Sequence, residues 1–364
     1  MHLPQTADRP ADDVTSSWCT LAYSGSPDYH GDVVTRTTFG LASYSFPFSC
    51  GFAKRDGRAI DHPMDAYALI DLAGRHDLVG IEIPFFQLLP DMEAATIDRF
   101  AQTLHERGMS FLLDTAVLDV DTLRTVLPLA RRVGATTVRA MLAGFLEGAR
   151  AVHVPNWSDY MRQAIVKLMQ IYPLLEELDM RLAIENHQDA TAEDLLALCS
   201  VGPRIGVTFD VVNPLAVGEE PFDFARKLGS RIFNVHLKDY TLHPTASGYR
   251  LARAALGEGV IDWPAMVALV RGVAPTATWH IELAAIYARH IRIYEADWWR
   301  GYAPRSALDL LPLLHFVAHN AQPPEAPWQT PWEQGADFAA CERYEREQFE
   351  RSVDYLRRSV FIDG

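Results

Sequence analysis

The segment 181–210, RLAIENHQDATAEDLLALCSVGPRIGVTFD, decides the fold class. Two short apolar runs in it end on carboxylates, Glu185 and Asp210, and one helix-length segment separates them. This pattern predicts a strand, a helix and a second strand, with an acid at the same end of both strands. Two later apolar runs end in the same way, one at His236 and one at Glu282. Four potential metal ligands therefore lie at the C-terminal tips of four successive predicted strands.

The spacing of these ligands favours a closed barrel. Glu185, Asp210 and His236 follow one another at intervals of 25 and 26 positions, whereas an eight-unit barrel allots roughly 31 residues to each unit. The longer interval to Glu282 predicts an insertion near Asp239–Leu256. A closed parallel barrel brings all strand tips to one mouth, so ligands distant in sequence become neighbours. The predicted fold class is α/β, a (β/α)8 TIM barrel.

Three parts are expected along the chain. Residues 1–36 are polar and read as an N-terminal extension, and residues 37–320 alternate strands with helix-length segments, as a TIM-barrel catalytic domain does. Residues 321–364 form a Pro/Trp-rich linker and a charged helix, which we expect to pack on the barrel. The first strand is predicted at Thr38–Phe46, and the glycine-containing loop Pro47–Asp61 is a candidate to cover the mouth.

Composition excludes some classes of partner. The 33 basic residues against 47 acidic ones give a net charge of −14, which argues against nucleic acid and anionic membranes. The four cysteines show no CxxC spacing, and Cys19 and Cys50 could pair only by a geometry that the sequence does not reveal. Residues 1–36 lack the apolar core of a signal peptide, and the chain lacks an apolar run of membrane length. We therefore expect reduced thiols and a cytoplasmic location.

Three carboxylates and one imidazole form an oxygen-rich ligand set for one divalent metal ion. Such a set favours Mn²⁺, with Mg²⁺ or Co²⁺ as alternatives, over Zn²⁺. Four protein ligands leave two positions of an octahedron for a carbonyl oxygen and a neighbouring hydroxyl. The ion would withdraw charge from the carbonyl and stabilise an enediolate, which makes an adjacent C–H proton removable by a carboxylate. A general base of this kind contributes about 10²–10⁴-fold.

Five short motifs, in order, resemble the sugar phosphate isomerase/epimerase superfamily of xylose-isomerase-like TIM barrels. The resemblance covers about 37–285, and its motifs are IENH (184–187), FDVVNP (209–214), VHLKD (235–239), LGEGVIDW (256–263) and HIEL (280–283). It implies one divalent metal on Glu185, Asp210, His236 and Glu282. In the ketose 3-epimerase members, the glutamates that match Glu185 and Glu282 also act as the acid/base pair.

The match to ketose 3-epimerases is incomplete. Those enzymes usually have a histidine where this chain has Asn213, and a substrate-binding glutamate where it has Thr191. Arg253 matches their substrate-binding arginine once the insertion is allowed for. These departures speak against a standard ketose 3-epimerase, and they leave Asn213 and Arg253 as candidate substrate-binding residues.

Four further residues carry alternative interpretations. His187 should face the same side as Glu185 and is a candidate second base or substrate donor, or else a strand-end histidine bonded to a carboxylate. Lys238 could stabilise an oxyanion, or form an ion pair with Asp239 or Glu185. The other two are Glu82, which could bind substrate hydroxyls or form a structural salt bridge, and His280, which is expected in the core.

The predicted function is a metal-dependent isomerase or epimerase of a keto sugar or polyol derivative. An alternative is a metal-dependent lyase on 3-oxo-glycosides, because the α-subunits of C-glycoside deglycosidases are similar, and the aromatic stretch 287–302 would suit their aglycones. The expected partners are a carbohydrate and further copies of the chain, or a small partner subunit in the lyase case. A nuclease like the AP endonuclease branch would need more metal-binding histidines and a basic face. A catalytically inactive binding barrel would hold metal but would not exchange a substrate proton with solvent.

Overall fold

A computed structural model describes residues 38–284 and 286–360. The predicted N-terminal extension, 1–36, lies outside the described residues. The strands are β1 (Gly40–Ala42), β2 (Gly80–Ile83), β3 (Ser110–Val117), β4 (Thr137–Met141), β5 (Arg181–Glu185), β6 (Ile205–Asp210), β7 (Ile232–Leu237), β8 (Asp239–Thr245), β9 (Gly248–Ala254), β10 (Thr278–Ile281) and β11 (Arg289–Ile291).

Eight of these strands close into a parallel barrel, in the order β1, β10, β7, β6, β5, β4, β3, β2. The predicted (β/α)8 fold is therefore confirmed. The register sets the height of the site, because Asp210 lies opposite His236, and His236 lies opposite His280 on the other side. Glu282 follows β10 directly, and its backbone N–H donates to the carbonyl of Leu237 at 3.0 Å. The last residues of β6, β7 and β10 are thus held at one level.

Helices surround the barrel. They are α1 (Ala66–Arg75), α2 (Phe85–Leu88), α3 (Ala94–Glu106), α4 (Val120–Val133), α5 (Arg150–His153), α6 (Trp157–Glu177), α7 (Ala192–Cys199), α8 (Pro221–Leu228), α9 (Trp263–Val273), α10 (Ala307–Asn320) and α11 (Phe338–Ser359). In the part of the chain that the structure describes, none of them is long and apolar enough to span a membrane.

Helix α4 illustrates how local sequence sets these elements. Asp119 caps its start by accepting from Thr122 N at 2.8 Å, and Gly134 ends it at a φ of +102° that suits glycine. Its buried residues include Leu123, Val126 and Leu127, which recur at the three-to-four residue spacing of one helical face. The apolar face therefore covers the barrel while the charged face meets solvent.

One local expectation needs correction. The first strand is shorter than Thr38–Phe46, because the backbone turns into a 3-10 helix at Ser43–Ser45, where the buried Ser45 hydroxyl donates to Ile281 O at 2.8 Å. Helix α6 continues through Pro173 to Glu177. Proline removes one N–H donor from a helix, and the buried face of α6, which includes Ile171 and Leu175, keeps it packed across that gap.

The insertion predicted near Asp239–Leu256 is a β-hairpin. Strands β8 and β9 pair antiparallel along their whole length, and β11 pairs with β9, so the three form a small sheet. The hairpin continues directly from the VHLKD segment at the end of β7. The chain that leaves the barrel after β10 therefore returns to its mouth as the third strand of this sheet.

The C-terminal helix α11 contacts the first barrel unit. Glu345 accepts hydrogen bonds from the backbone N–H groups of Phe48 and Ser49 at 3.0 and 2.7 Å. The rings of Phe349 and Phe46 meet edge to face, with centroids 5.1 Å apart. These contacts hold the segment after β1, which begins the loop over the mouth.

Candidate metal centre

Four side chains converge at the C-terminal mouth of the barrel: Glu185, Asp210, His236 and Glu282. One ligand atom from each lies within 4.8 Å of the others, and all four residues are buried. Ligands on opposite sides of a small divalent ion lie about 4.2 Å apart, so the group needs little adjustment to hold one. The sequence prediction that these residues gather at one point agrees with this geometry.

His236 is oriented for metal binding. Its Nε2 lies 3.0 and 2.9 Å from the two carboxylate oxygens of Glu82. Because a carboxylate can only accept, Nε2 carries a hydrogen, and in the neutral ring the lone pair is on Nδ1. This Nδ1 is buried without a hydrogen-bond partner, at 3.5 Å from Glu185 and 3.7 Å from Glu282. A cation among these acids would satisfy it.

The IENH and FDVVNP segments fix the relative height of Glu185 and Asp210. The side chain of Asn186 accepts from Asp210 N at 2.6 Å and donates to Asp210 O at 2.9 Å. This double hydrogen bond ties the end of β5 to the end of β6. The two carboxylates are therefore positioned by the backbone, as a preorganised site requires.

Lys238 places its ammonium group between two of the acids. Its Nζ lies 2.5 Å from Asp210 Oδ2 and 2.5 Å from Glu282 Oε2. The ion pairs involve Asp210 and Glu282, so the expected pairing with Asp239 or Glu185 is wrong. The ammonium group thus partly offsets the negative charge of these two carboxylates.

A second cation, Arg139, lies deeper in the barrel. Its guanidinium contacts Glu82 at 2.8 Å and Asp114 at 2.8 Å, and it also pairs with Glu185. With Asp210 and Glu282, five buried carboxylates face two permanent cations, Arg139 and Lys238, and one histidine. The group has an excess of negative charge, which a divalent ion would reduce.

The pKa values reflect this excess. Burial raises the pKa of Asp210 to about 6, although Lys238 acts in the opposite direction. Burial likewise raises the pKa of Asp114 to about 7 against the effect of Arg139. For His236, burial alone would lower the pKa, but the carboxylates of Glu82 and Glu185 raise it to about 10. The acids thus attract a positive charge, which a metal ion would supply after displacing a proton.

A cavity of about 800 Å³ opens at this mouth, and two of the four residues line it. Glu185 and Glu282 line it, together with residues of the loop after β1, including Pro47, Phe52 and Ala59. The loop at 47–61 therefore contributes to the wall of the mouth, as expected from the sequence. The volume suits a small organic molecule.

The comparison with protein families agrees with this fold. The family model described as "Xylose isomerase-like TIM barrel" matches residues 70–285. The chain belongs to the xylose isomerase-like TIM barrel family. The resemblance found in its motifs is thereby confirmed.

Individual relatives of this xylose isomerase-like barrel are distant. A 3-oxo-isoapionate decarboxylase of Pectobacterium atrosepticum is 23% identical over 236 residues, which are 64% of this chain and 80% of that protein. An L-ribulose 3-epimerase structure has a TM-score of 0.53 at 15% identity. The match covers 88% of this chain and 96% of the epimerase chain. The IolI protein with a bound zinc atom has a TM-score of 0.54 at 13% identity, with 78% and 99% covered. Structural likeness at such identities shows the fold alone.

Three of the other predicted site residues line the cavity of this xylose isomerase-like barrel: His187, Asn213 and Lys238. His187 Nδ1 lies 3.2 Å from the carbonyl of Phe145, so it donates to a carbonyl and not to the expected carboxylate. Its Nε2 is then the acceptor nitrogen. Asn213 Oδ1 accepts from Gln188 Nε2 at 3.2 Å, and its Nδ2 is buried without a partner.

Glu82 and Arg253 are not among the residues that line the cavity. Glu82 forms the structural ion pair with Arg139 and holds His236, so its carboxylate is already engaged. Arg253 donates to Gln348 of α11 at 2.9 Å and to the carbonyl of Ser45 at 3.1 Å. The geometry gives no support to the expectation that either one contacts substrate. His280, as expected, is in the core, with Nδ1 2.8 Å from Asn234 Oδ1.

Arg139, Asp114 and Arg289 were not predicted. Arg139 and Asp114 are charged residues inside the apolar runs TTVRAM and FLLDTA. An isolated charge in a buried strand needs a partner, so each was a visible sign of an interior ion pair. Arg289 lines the cavity from β11, and its position depends on how the small sheet folds back, for which the sequence offered no sign.

Proposed function

We propose that the chain is a divalent-metal-dependent isomerase or epimerase that removes a proton next to the carbonyl group of a keto sugar or polyol derivative. The observation that carries this proposal is the convergence of His236 Nδ1 and three buried carboxylates beside a cavity of about 800 Å³. Mn²⁺ is the first ion to test, followed by Mg²⁺ and Co²⁺, because the donors are mostly oxygen.

A bound ion would supply Lewis acidity, which stabilises the negative charge that develops on a substrate carbonyl oxygen. Lys238 adds an ammonium group at the same place, next to Asp210 and Glu282. Both groups are fixed before the substrate enters, which is the condition under which electrostatic stabilisation is most effective.

Glu185 and Glu282 act as the base and acid. Two strands, β6 and β7, separate β5 from β10 around the barrel, so the two glutamates reach the substrate from different sides. Glu185 takes a proton from the carbon next to the carbonyl, and Glu282 returns one. Return to the opposite face of the same carbon inverts it, and return to the neighbouring carbon moves the carbonyl. His187, with its free Nε2 at the cavity wall, is the alternative base.

A second candidate is a lyase, favoured by the relative named 3-oxo-isoapionate decarboxylase. In a decarboxylation the carboxyl group leaves as CO₂, the electron pair of the broken C–C bond passes to the enolate that the same groups would stabilise, and a proton then replaces the carboxyl group. In a 3-oxo-glycoside, proton loss next to the carbonyl first gives the enolate. The enolate then expels the aglycone, which leaves with the electron pair of its bond to the sugar and takes a proton.

One experiment in D₂O separates these candidates. Metal-loaded protein is incubated with keto sugars, 3-oxo-glycosides and 3-oxo sugar acids, the metal is then chelated, and the products are read by NMR. An isomerase or epimerase gives deuterium next to the carbonyl and a rearranged sugar, whereas a lyase gives free aglycone or CO₂. Protein that takes up metal but produces none of these contradicts both candidates.

Glu185→Gln and Glu282→Gln test the acid/base assignment. We expect each to lower the rate of deuterium incorporation by about 10²–10⁴-fold, because a positioned general base or acid is lost. Glu258→Gln is the control, since Glu258 forms a half-exposed ion pair with Arg351 outside the cavity. A rate close to that of the unmodified protein in either active-site variant means that the assigned roles are wrong.

A further inference from the structure

Arg289 is a buried cation in the cavity wall, and no acid among residues 38–284 and 286–360 forms an ion pair with it. Its residue is 8% exposed, and it lines the same cavity as Glu185 and Glu282. Both Nε and Nη1 are buried and have no hydrogen-bond partner. Leaving a buried charge unpaired is unfavourable, so the guanidinium is expected to meet an anion when the site is filled.

The other described cations that line the cavity are either paired with acids or exposed to solvent. Arg139 contacts three carboxylates and Lys238 contacts two. Lys54 is exposed to solvent. Arg289 is therefore the described cation in this wall that is both buried and uncompensated.

Two acids bind the backbone next to Arg289. Glu333 accepts from Ala288 N at 3.2 Å, and Glu147 accepts from His290 N at 3.0 Å. Both carboxylates thus accept from the residues that flank Arg289 in sequence. The guanidinium carbon itself lies 4.5 Å from the centroid of the Tyr287 ring, which supports it without neutralising it.

A second donor in the same cavity also lacks an acceptor. Asn213 is 1% exposed, and its Oδ1 is engaged by Gln188, which leaves Nδ2 without a partner. The cavity thus offers one charged donor group and one neutral donor group. A ligand with an anionic group and a further oxygen acceptor would satisfy both.

We propose that Arg289 binds a carboxylate of the substrate, so that the substrate is a keto sugar acid and not a neutral keto sugar. This inference rests on the proposed function and names its substrate class. One guanidinium matches the single charge of a carboxylate, whereas a phosphate dianion would keep a second charge for which the described wall has no buried cation available. The carboxylate would serve as a handle, because an ion pair and charge-assisted hydrogen bonds with the guanidinium fix the position of the substrate.

The test measures binding of a matched pair of probes, 5-keto-D-gluconate and D-fructose, with D-fructose 6-phosphate as a third. Isothermal titration is run on metal-loaded and on EDTA-treated protein, for the unmodified chain, Arg289→Gln and Arg289→Lys. Arg292→Gln is the control, because Arg292 is a half-exposed cation of the same segment, 3.6 Å from Glu147, and is not among the cavity residues.

We expect Arg289→Gln to weaken binding of the sugar acid by at least about tenfold, the effect of losing a charge-assisted hydrogen bond. Binding of D-fructose should change by less than about twofold, Arg289→Lys should recover part of the loss, and Arg292→Gln should change neither. Equal weakening of both probes, no weakening, or no binding of the sugar acid to the unmodified chain overturns the proposal. A sugar phosphate that depends on Arg289 more than the sugar acid does also overturns it, in favour of phosphate.

This outcome is independent of the test of the proposed function. Arg289-dependent binding without deuterium incorporation would retain the carboxylate assignment and reject the isomerase. Deuterium incorporation without any dependence of binding on Arg289 would retain the isomerase and reject the carboxylate assignment.

Discussion

Asp210 and Asp239 are two fully buried aspartates near the same barrel mouth, yet they are surrounded differently. Asp239 accepts from the backbone N–H groups of Tyr240, Gly257, Val260 and Ile261 at 2.9–3.3 Å, and from the indole of Trp263 at 3.0 Å. Asp210 has a side-chain contact of 2.5 Å with Lys238 and one of 3.3 Å with Val212 N. Asp239 is thus surrounded by backbone and indole N–H donors, whereas Asp210 lies among ionisable side chains.

The difference is the one expected between a structural acid and a proposed metal ligand. The LGEGVIDW segment wraps around Asp239, and Gly259 is needed there because a Cβ would lie 2.1 Å from the Asp239 carboxylate. Two of the recognised motifs, VHLKD and LGEGVIDW, therefore form one structural unit. Around Asp210 the excess of negative charge remains, which is unfavourable in a fold but useful for binding a cation.

The largest expected effect is on stability, from making the same substitution at both positions. In EDTA, Asp239→Asn should lower the free energy of unfolding by about 2–6 kcal/mol, because the amide replaces one acceptor oxygen and leaves at least two buried donors without a partner. Asp210→Asn should change it by less than about 1 kcal/mol, since Lys238 keeps Glu282 and the repulsion among the acids decreases. Urea unfolding at constant m-value measures both. A similar loss of unfolding free energy in the two variants would show that Asp210 also stabilises the fold.

The sequence predicted Asp210 and its three fellow ligands because each ends an apolar run at barrel spacing. It did not predict the groups around them. Arg139 contacts acids on β2, β3 and β5 only once the register of neighbouring strands is known. Arg253 matched a family arginine, but α11 engages it through Gln348, far along the chain. The periodicity of apolar residues shows which strand ends meet at the mouth. Which acid or helix a buried arginine contacts depends instead on the packing of segments that are distant in sequence.

The next effect is stabilisation of the folded chain by a bound metal ion. It should depend on the carboxylates at the mouth, such as Asp210, and not on Asp239. Mn²⁺ at 100 times its dissociation constant should raise the free energy of unfolding by about 2.7 kcal/mol, because only the folded chain presents the four ligands together. Asp210→Asn should abolish the increase, and Glu258→Gln should retain it. Thermal unfolding with and without Mn²⁺ measures the difference. An equal increase in the Asp210 variant would place the ion elsewhere.

The smallest expected effect is on metal affinity. It distinguishes the four proposed ligands from Glu82, the residue that orients one of them. Glu82 does not line the cavity but holds His236 Nε2 at 2.9 Å, which directs Nδ1 to the other ligands. Glu82→Gln should weaken Mn²⁺ binding by about 10–100-fold, because the amide is a weaker acceptor and no longer raises the basicity of the imidazole. Asp114→Asn is the matched control, since Asp114 also contacts Arg139, at 2.8 Å, but in the described part of the chain it forms no hydrogen bond with His236. Titration of free Mn²⁺ by electron paramagnetic resonance gives the dissociation constants. If both variants weaken binding equally, Glu82 acts through Arg139 and the charge balance of the mouth, and the orientation of His236 does not depend on it.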